Sequence, residues 1–236
     1  MKTRLYLIPT PLGDHAPNSV LPAPVLERIA CLRRFFVEEL RTARRFLSAA
    51  GLKGQIDTLE LYELNEHTTR EQIESYAALL GEQDAGLISE AGLPAVADPG
   101  ALLVELAHRK GVEVVPMVGP SSLMLALMAS GLNGQCFAFT GYLPVKAPAR
   151  REAIEQLERT SARLRQSEIV IETPYRNDAL LADFCAGCKP DTRLCIAADI
   201  TCPDEFIRTK TIAQWRNELK KGFTVGKRPC VFILLA

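Results

Sequence analysis

Four loops carry the residue types best suited to chemistry. They are Pro9-Thr-Pro-Leu-Gly13, Ser89-Glu-Ala-Gly-Leu-Pro-Ala-Val-Ala-Asp-Pro-Gly100, Val115-Pro-Met-Val-Gly-Pro-Ser-Ser122 and Glu172-Thr-Pro-Tyr-Arg176. Each follows a run of strand-forming residues. Glycine lets backbone approach a ligand closely, and proline holds the loop rigid. Open α/β sheets bind ligands outside the carboxyl ends of their strands. Any one of these loops alone reads as a tight turn; four of them at strand ends point to a ligand cradle.

Other chemistries find no motif here. The sequence has no G-x-G-x-x-G behind its first strand, no G-x-x-x-x-G-K-[ST] and no G-x-S-x-G. His15, His67 and His108 are far apart and lack the spacing of a zinc hydrolase. The seven cysteines, an odd number and scattered, do not read as a disulfide framework. Cys185-Ala-Gly-Cys188 is a C-x-x-C pair, but it follows an apolar helical run and precedes Lys189-Pro190. That places it at a helix C-terminus, away from the N-terminal dipole that activates a thiol. No metal site is expected.

The loops need elements to hold them. Short β-rich runs alternate with helical patterns along the whole chain. Strands are predicted at 4–8, 35–38, 58–62, 86–89, 112–115, 136–140, 168–173, 193–198, 206–211 and 229–235. Helices are predicted at 24–31, 42–50, 69–80, 99–110, 122–129, 150–165, 175–188 and 212–221. Thr68 or Thr69 is a fair N-cap, with Gly81 as the stop. In the helix 150–165, Ile154, Leu157, Ser161 and Leu164 fall on one face. This alternation predicts an α/β architecture with largely parallel sheets. It is read as two α/β domains, residues 1–117 and 118–236.

The chain has 236 residues, enough for a sizeable core, and its composition, 47% apolar and 24% charged, excludes wholesale disorder. No stretch approaches the roughly 20 apolar residues of a membrane span, and no signal peptide is evident, so a cytoplasmic protein is expected. Lys plus Arg and Asp plus Glu number 28 each. That balance hides an asymmetry. Residues 52–100 hold ten acids and two bases, whereas residues 207–228 hold seven bases and one acid. The basic set is Arg208, Lys210, Arg216, Lys220, Lys221, Lys227 and Arg228. Gathered on one face it would suit phosphates; a solvated helix face is the equal alternative. Few aromatics interleave with it, so no base-stacking platform is signalled.

The loops 87–100 and 114–122 resemble the tetrapyrrole methylase superfamily, and most of all its ribosomal RNA small-subunit methyltransferase branch. Ile8-Pro-Thr-Pro-Leu-Gly13, Ser130-Gly-Leu132, Gly141-Tyr-Leu-Pro144 and Ile171-Glu-Thr-Pro-Tyr-Arg176 extend the likeness, in the family's order, over nearly the whole chain. The resemblance implies two α/β domains with a cofactor cleft between them, a homodimer, and S-adenosylmethionine as cofactor. It implies methyl transfer to ribosomal RNA of the ribose 2′-O type. Carried over by motif, the cofactor residues would be Thr10, Ser89, Glu90, Ala91, Val96, Ser121, Ser122, Thr173, Ile200 and Pro229. Glu39, Arg41 and Asn65 are the acceptor-side catalytic candidates, by position only.

Departures from the family concern the acceptor. Glu90 stands where the family loop has Asp, and Glu38-Glu39-Leu40-Arg41 replaces Glu-Asp-Thr-Arg. In Tyr62-Glu-Leu-Asn-Glu66, Tyr and Leu replace two histidines. Two other readings therefore stand beside ribosomal RNA: a methylase of a small molecule or tetrapyrrole, and a catalytically silent cofactor-binding module.

Overall fold

The computed structural model describes residues 2–236. The chain divides into two compact units, residues 1–121 and 122–236.

The first unit runs β1 (Arg4–Ile8), α1 (Pro17–Val20), α2 (Ala23–Cys31), β2 (Arg34–Val37), α3 (Leu40–Leu47), β3 (Glu60–Glu63), α4 (Arg70–Leu79), β4 (Ala85–Ile88), α5 (Ala101–Arg109) and β5 (Glu113–Pro116). Its sheet has the order β3-β2-β4-β1-β5, and every pairing is parallel. Such a sheet must be covered on both faces. Val25, Ile29, Ala43 and Leu47 of α2 and α3 belong to one apolar cluster, and Ala77, Leu103 and Ala107 of α4 and α5 to the other. Thr69 closes a capping box on α4: its hydroxyl accepts from Gln72 N at 3.3 Å while Gln72 Oε1 accepts from Thr69 N at 2.9 Å.

The strand order determines where a ligand can sit. From β1 the chain crosses towards β2; from its neighbour β4 it crosses the opposite way, to β5. Loops leaving in opposite directions open a crevice at the carboxyl ends of adjacent strands. The loops at that point are 9–13 and 89–100.

The second unit runs α6 (Ser122–Ser130), β6 (Phe137–Tyr142), α7 (Ala147–Leu164), β7 (Ser167–Glu172), α8 (Asn177–Gly187), β8 (Arg193–Ala198), β9 (Phe206–Thr211), α9 (Ile212–Lys220) and β10 (Cys230–Leu235). Here the expectation of largely parallel sheets fails. The order is β6-β7-β10-β8-β9; only β6 and β7 are parallel, and the other three pairings are antiparallel. A parallel neighbour needs a long crossover, usually a helix. The connection from β8 to β9 is a short turn with no helix, so β9 folds straight back on β8. β10 then enters between β7 and β8, antiparallel to both.

One face of this sheet packs on Ile154, Leu157, Leu180, Phe184 and Trp215 of α7, α8 and α9, and α6 packs on β8, β9 and β10. Leu164, expected on the buried face, is the last residue of α7 and is exposed. Cys185 and Cys188 do close a helix C-terminus, and both are buried. Burial pushes both thiols up, and the Glu158 carboxylate adds to the effect at Cys188. They are packing residues. Among the described residues no cluster of His, Cys, Asp and Glu is arranged to hold a metal, and no helix is long and apolar enough to cross a membrane.

Candidate functional site

In the first unit the β1 and β4 loops are joined by their backbones. Thr10 N donates to Gly92 O at 2.9 Å and Gly92 N donates to Thr10 O at 3.1 Å. Gly92 takes φ +82°, which a side chain would strain. Thr10 is buried, and its hydroxyl donates to Ser89 O at 3.4 Å. Ser89 is buried too, yet its hydroxyl oxygen makes no hydrogen bond of normal geometry. Its near neighbour is the Asp98 carboxyl, and a buried hydroxyl so loosely held at a strand end is one a ligand can engage. Thr10, Ser89 and Glu90 also line a cavity of about 360 Å³, completed by Thr42 and Arg45 of α3 and the loop around His15.

Three carboxylates surround this crevice. Glu38 follows β2, and its Oε2 accepts from Glu90 N at 3.0 Å. Glu90 in turn accepts from the Thr42 hydroxyl. Asp98 lies further along the β4 loop. Burial, then the charges of Glu38 and Glu90, push its carboxyl up to about 6, although the nearby Ser89 hydroxyl opposes this. Burial likewise pushes Glu38 up. A cation is the species this arrangement favours.

The raised Asp98 value makes a prediction. Its ordinary value is 3.8 and its folded value about 6, so the ionised form costs stability above pH 6. That cost fades as pH falls through 6 and vanishes below the unfolded value. Asp98→Asn is therefore expected to stabilise the protein at pH 8 by about 1–2 kcal/mol, after discounting for partial exposure. The gain disappears near pH 4. Urea denaturation at the two pH values checks it; an equal effect at both would remove the assignment.

Glu39 and Asn65, two of the acceptor-side candidates, have local duties. Glu39 N-caps α3: its two oxygens accept from Arg41 N at 2.9 Å and Thr42 N at 2.7 Å. Those amides hold its carboxyl below the usual range. Asn65 Oδ1 accepts from His67 N at 2.9 Å in the turn after β3. Arg41 is exposed in the first turn of α3.

In the second unit the antiparallel entry of β10 gathers three of the remaining candidates. Cys230 pairs with Glu172 on one side and with Ala198 on the other. Thr173, Ile200 and Pro229 therefore lie at one end of the sheet. Ser122 opens α6, and Ser121 precedes it.

Backbone strain marks two of the candidates. Among the described residues five non-glycine residues have positive φ, and four of them flank Val96 and Ile200: Ala95 (64°) and Ala97 (63°), Asp199 (47°) and Thr201 (70°). Such conformations persist only where surroundings enforce them, and they concentrate at ligand sites. Asp199 is held by Arg228 Nε at 2.5 Å, and Thr201 N by Glu205 Oε2 at 2.8 Å. By contrast Val96 is 43% exposed.

The basic set of the C-terminal segment is largely consumed internally. Lys210 and Lys221 pair with Glu218, Arg228 with Asp199, and Arg216 donates to the carbonyls of Cys185 and Cys188. It is not one phosphate-binding face. Glu38 and Asp98 stand inside the motifs above but carry no local mark of this role. Their signal is three-dimensional: it arises when two loops bring carboxylates together.

The fold is a two-domain α/β fold shared with solved structures. A uroporphyrin-III C-methyltransferase from Thermus thermophilus, in complex with S-adenosylhomocysteine, superposes with a TM-score of 0.56 over 98% of this chain and 97% of that one, at 18% identity. The sequence model of the tetrapyrrole (corrin/porphyrin) methylases matches residues 4–215. The chain belongs to this family and is an S-adenosylmethionine-dependent methyltransferase. It is 31% identical over 233 residues to ribosomal RNA small subunit methyltransferase I of Neisseria meningitidis serogroup B, covering 98% of this chain and 75% of the relative. The enzyme of that name from Escherichia coli is 30% identical over 98% of this chain and 77% of its own length.

Proposed function

We propose that this protein methylates ribosomal RNA of the small subunit, at a ribose 2′-hydroxyl, and acts as a homodimer. The near-full-length likeness to small-subunit ribosomal RNA methyltransferases carries this reading. For the cofactor, the proposed residues are Thr10, Ser89, Glu90, Ala91, Val96, Ser121, Ser122, Thr173, Ile200 and Pro229. The residues present fit that molecule: Ser89 offers a buried hydroxyl at the end of β4, and Glu38, Glu90 and Asp98 favour positive charge. When bound, S-adenosylmethionine supplies a methyl group on a sulfonium cation, already activated for transfer.

This chain's residues then orient the acceptor, exclude water and hold protons. The cavity beside Thr42 and Arg45 has the volume of a small-ligand site and suits a nucleoside. Asp98, its carboxyl pushed up to about 6 by burial, suits accepting a hydroxyl proton near neutrality. Glu39, Arg41 and Asn65 stay on the acceptor side as positioning residues, with Arg41 available to phosphate. The dimer is supported by α6, which is apolar on all sides and leaves Met128 77% exposed.

The test is labelled-methyl transfer to small ribosomal subunits from a strain lacking the corresponding methyltransferase, with S-adenosylhomocysteine binding measured in parallel by calorimetry. Binding and transfer are both expected. Binding without transfer to RNA would favour a small-molecule acceptor, and no binding at all would leave a silent fold. Ser121→Asp should weaken S-adenosylhomocysteine roughly 10-fold by setting a carboxylate against the ligand's own; unchanged affinity would move the pocket away from α6.

A further inference from the structure

Tyr175 stands at the same sheet end as Thr173 and Pro229 and is 79% exposed. It is the middle residue of a single helical turn, Pro174–Arg176, that follows β7. This turn is rigidly mounted. Pro174 fixes one backbone angle. Arg176 N donates to Thr173 O at 2.9 Å, and the Arg176 guanidinium grips Glu172 Oε1 through Nε at 2.9 Å and Nη2 at 2.6 Å. The Glu172 side chain is fully buried.

A second segment, the turn before β10, is fastened to the start of α8 by four hydrogen bonds. Asn177 Nδ2 donates to Gly226 O at 3.0 Å and to Arg228 O at 2.8 Å. Asp178 Oδ1 accepts from Val225 N at 2.6 Å and Gly226 N at 3.3 Å. Between these anchors lies Lys227, exposed, with Nζ 5.1 Å from the centre of the Tyr175 ring. Arg176 and Arg228 are committed to Glu172 and Asp199. Lys227 is the cation presented beside the ring.

An aromatic ring this exposed contributes little to the core, yet two fixed segments hold it out with an ammonium against one face. We propose that Tyr175 and Lys227 form a stacking platform for an unpaired base of the RNA acceptor, with Lys227 contacting an adjoining phosphate. This rests on the RNA reading above and adds the residues that would position the strand. A flat ring stacks any base through its π-face, and a neighbouring cation gains from phosphate. Ile200 at the same sheet end is buried, whereas Tyr175 projects outward, as a surface crossed by a polymer requires.

The experiment measures binding of a short fluorescein-labelled single-stranded RNA by anisotropy, methyl transfer to small subunits, and S-adenosylhomocysteine affinity by calorimetry. Tyr175→Ala should weaken RNA binding roughly 10-fold and raise KM for the subunit with little change in kcat. Tyr175→Phe keeps the ring and should bind within about 2-fold of wild type. Lys227→Ala should cost roughly 3-fold and flatten the salt dependence by about one ion. S-adenosylhomocysteine affinity should not move in any variant. RNA binding and KM of Tyr175→Ala equal to wild type would overturn the platform and leave the RNA reading intact. A parallel loss of S-adenosylhomocysteine affinity would overturn it in favour of a ring that serves the cofactor. A wild-type protein inert towards RNA and subunits would overturn the acceptor reading and the platform together.

Discussion

Asp183→Ala lowers the stability of the second unit by about 3–5 kcal/mol. Asp183 and Arg150 are almost wholly buried, their side chains 6% and 7% exposed. One Asp183 oxygen accepts from Arg150 Nε at 2.8 Å and Nη2 at 2.5 Å; the other accepts from Arg151 Nε at 2.8 Å. Without the carboxylate, the Arg150 guanidinium keeps only Val145 O, at 2.8 Å, to offset its desolvation. Arg151 is 59% exposed and loses little. The protein carries one tryptophan, Trp215, buried in this unit with Nε1 donating to Leu194 O at 2.8 Å. Its fluorescence during urea denaturation therefore reads the second unit directly. A loss below about 1 kcal/mol would mean the pair behaves as a surface bridge. Burial pushes the Asp183 carboxyl up, but the two guanidiniums outweigh it and hold the carboxyl below its ordinary value. The stabilisation is thus complete above the ordinary carboxylate range and is lost as pH falls through the folded value. Arg150→Leu combined with Asp183→Leu should recover most of the loss, because no charge is left buried.

Gly119→Ala is expected to destabilise the first unit by about 2–3 kcal/mol. Loss of S-adenosylhomocysteine affinity by roughly 10-fold or more should accompany it, since small displacements of positioning groups carry large costs. A Cβ on residue 119 would lie 2.2 Å from Pro9 Cγ and 2.4 Å from Pro9 Cβ. A proline ring has no rotamer to escape into, so the backbone must move. Pro9 adjoins Thr10, which is bridged to Gly92 and bonded to Ser89 O. The collision therefore passes into the cradle. Far-UV circular dichroism during denaturation reads the stability, and calorimetry the affinity. Pro9→Gly placed in the Gly119→Ala background removes the ring and should restore part of both. An unimpaired single variant would show that the two loops are not packed as rigidly as the contact implies.

The first sheet was readable from local pattern because parallel strands buried on both faces show as short apolar runs between amphipathic helices. Ala85-Gly-Leu-Ile88 and Arg4-Leu-Tyr-Leu-Ile8 are such runs. The strand directions of the second sheet were not readable, since a strand's direction is not written in its residues. Phe206 to Thr211 carries the same pattern whether it crosses over or folds back. The loops were legible for the same reason as the first sheet: proline, glycine and hydroxyl residues cluster at strand ends. The local hydrogen bonds of Glu39 and Asn65 were not, because a carboxylate or amide in a turn carries no mark of which backbone amide it will accept from.

By itself the sequence determined the family, the two α/β units and the four loops, since each follows from residue types at short spacing. It also determined that the equal charge totals conceal an acidic stretch and a basic one. Tertiary structure alone decided what those charges do. It brought Glu38, Glu90 and Asp98 around one crevice, where burial and mutual repulsion raise the Asp98 pKa. It also paired much of the basic set with partners such as Glu218 and Asp199, and set Lys227 against Tyr175, 52 residues away in the chain. Coulomb interactions and stacking depend on distance through space, and that distance exists only once the chain has folded.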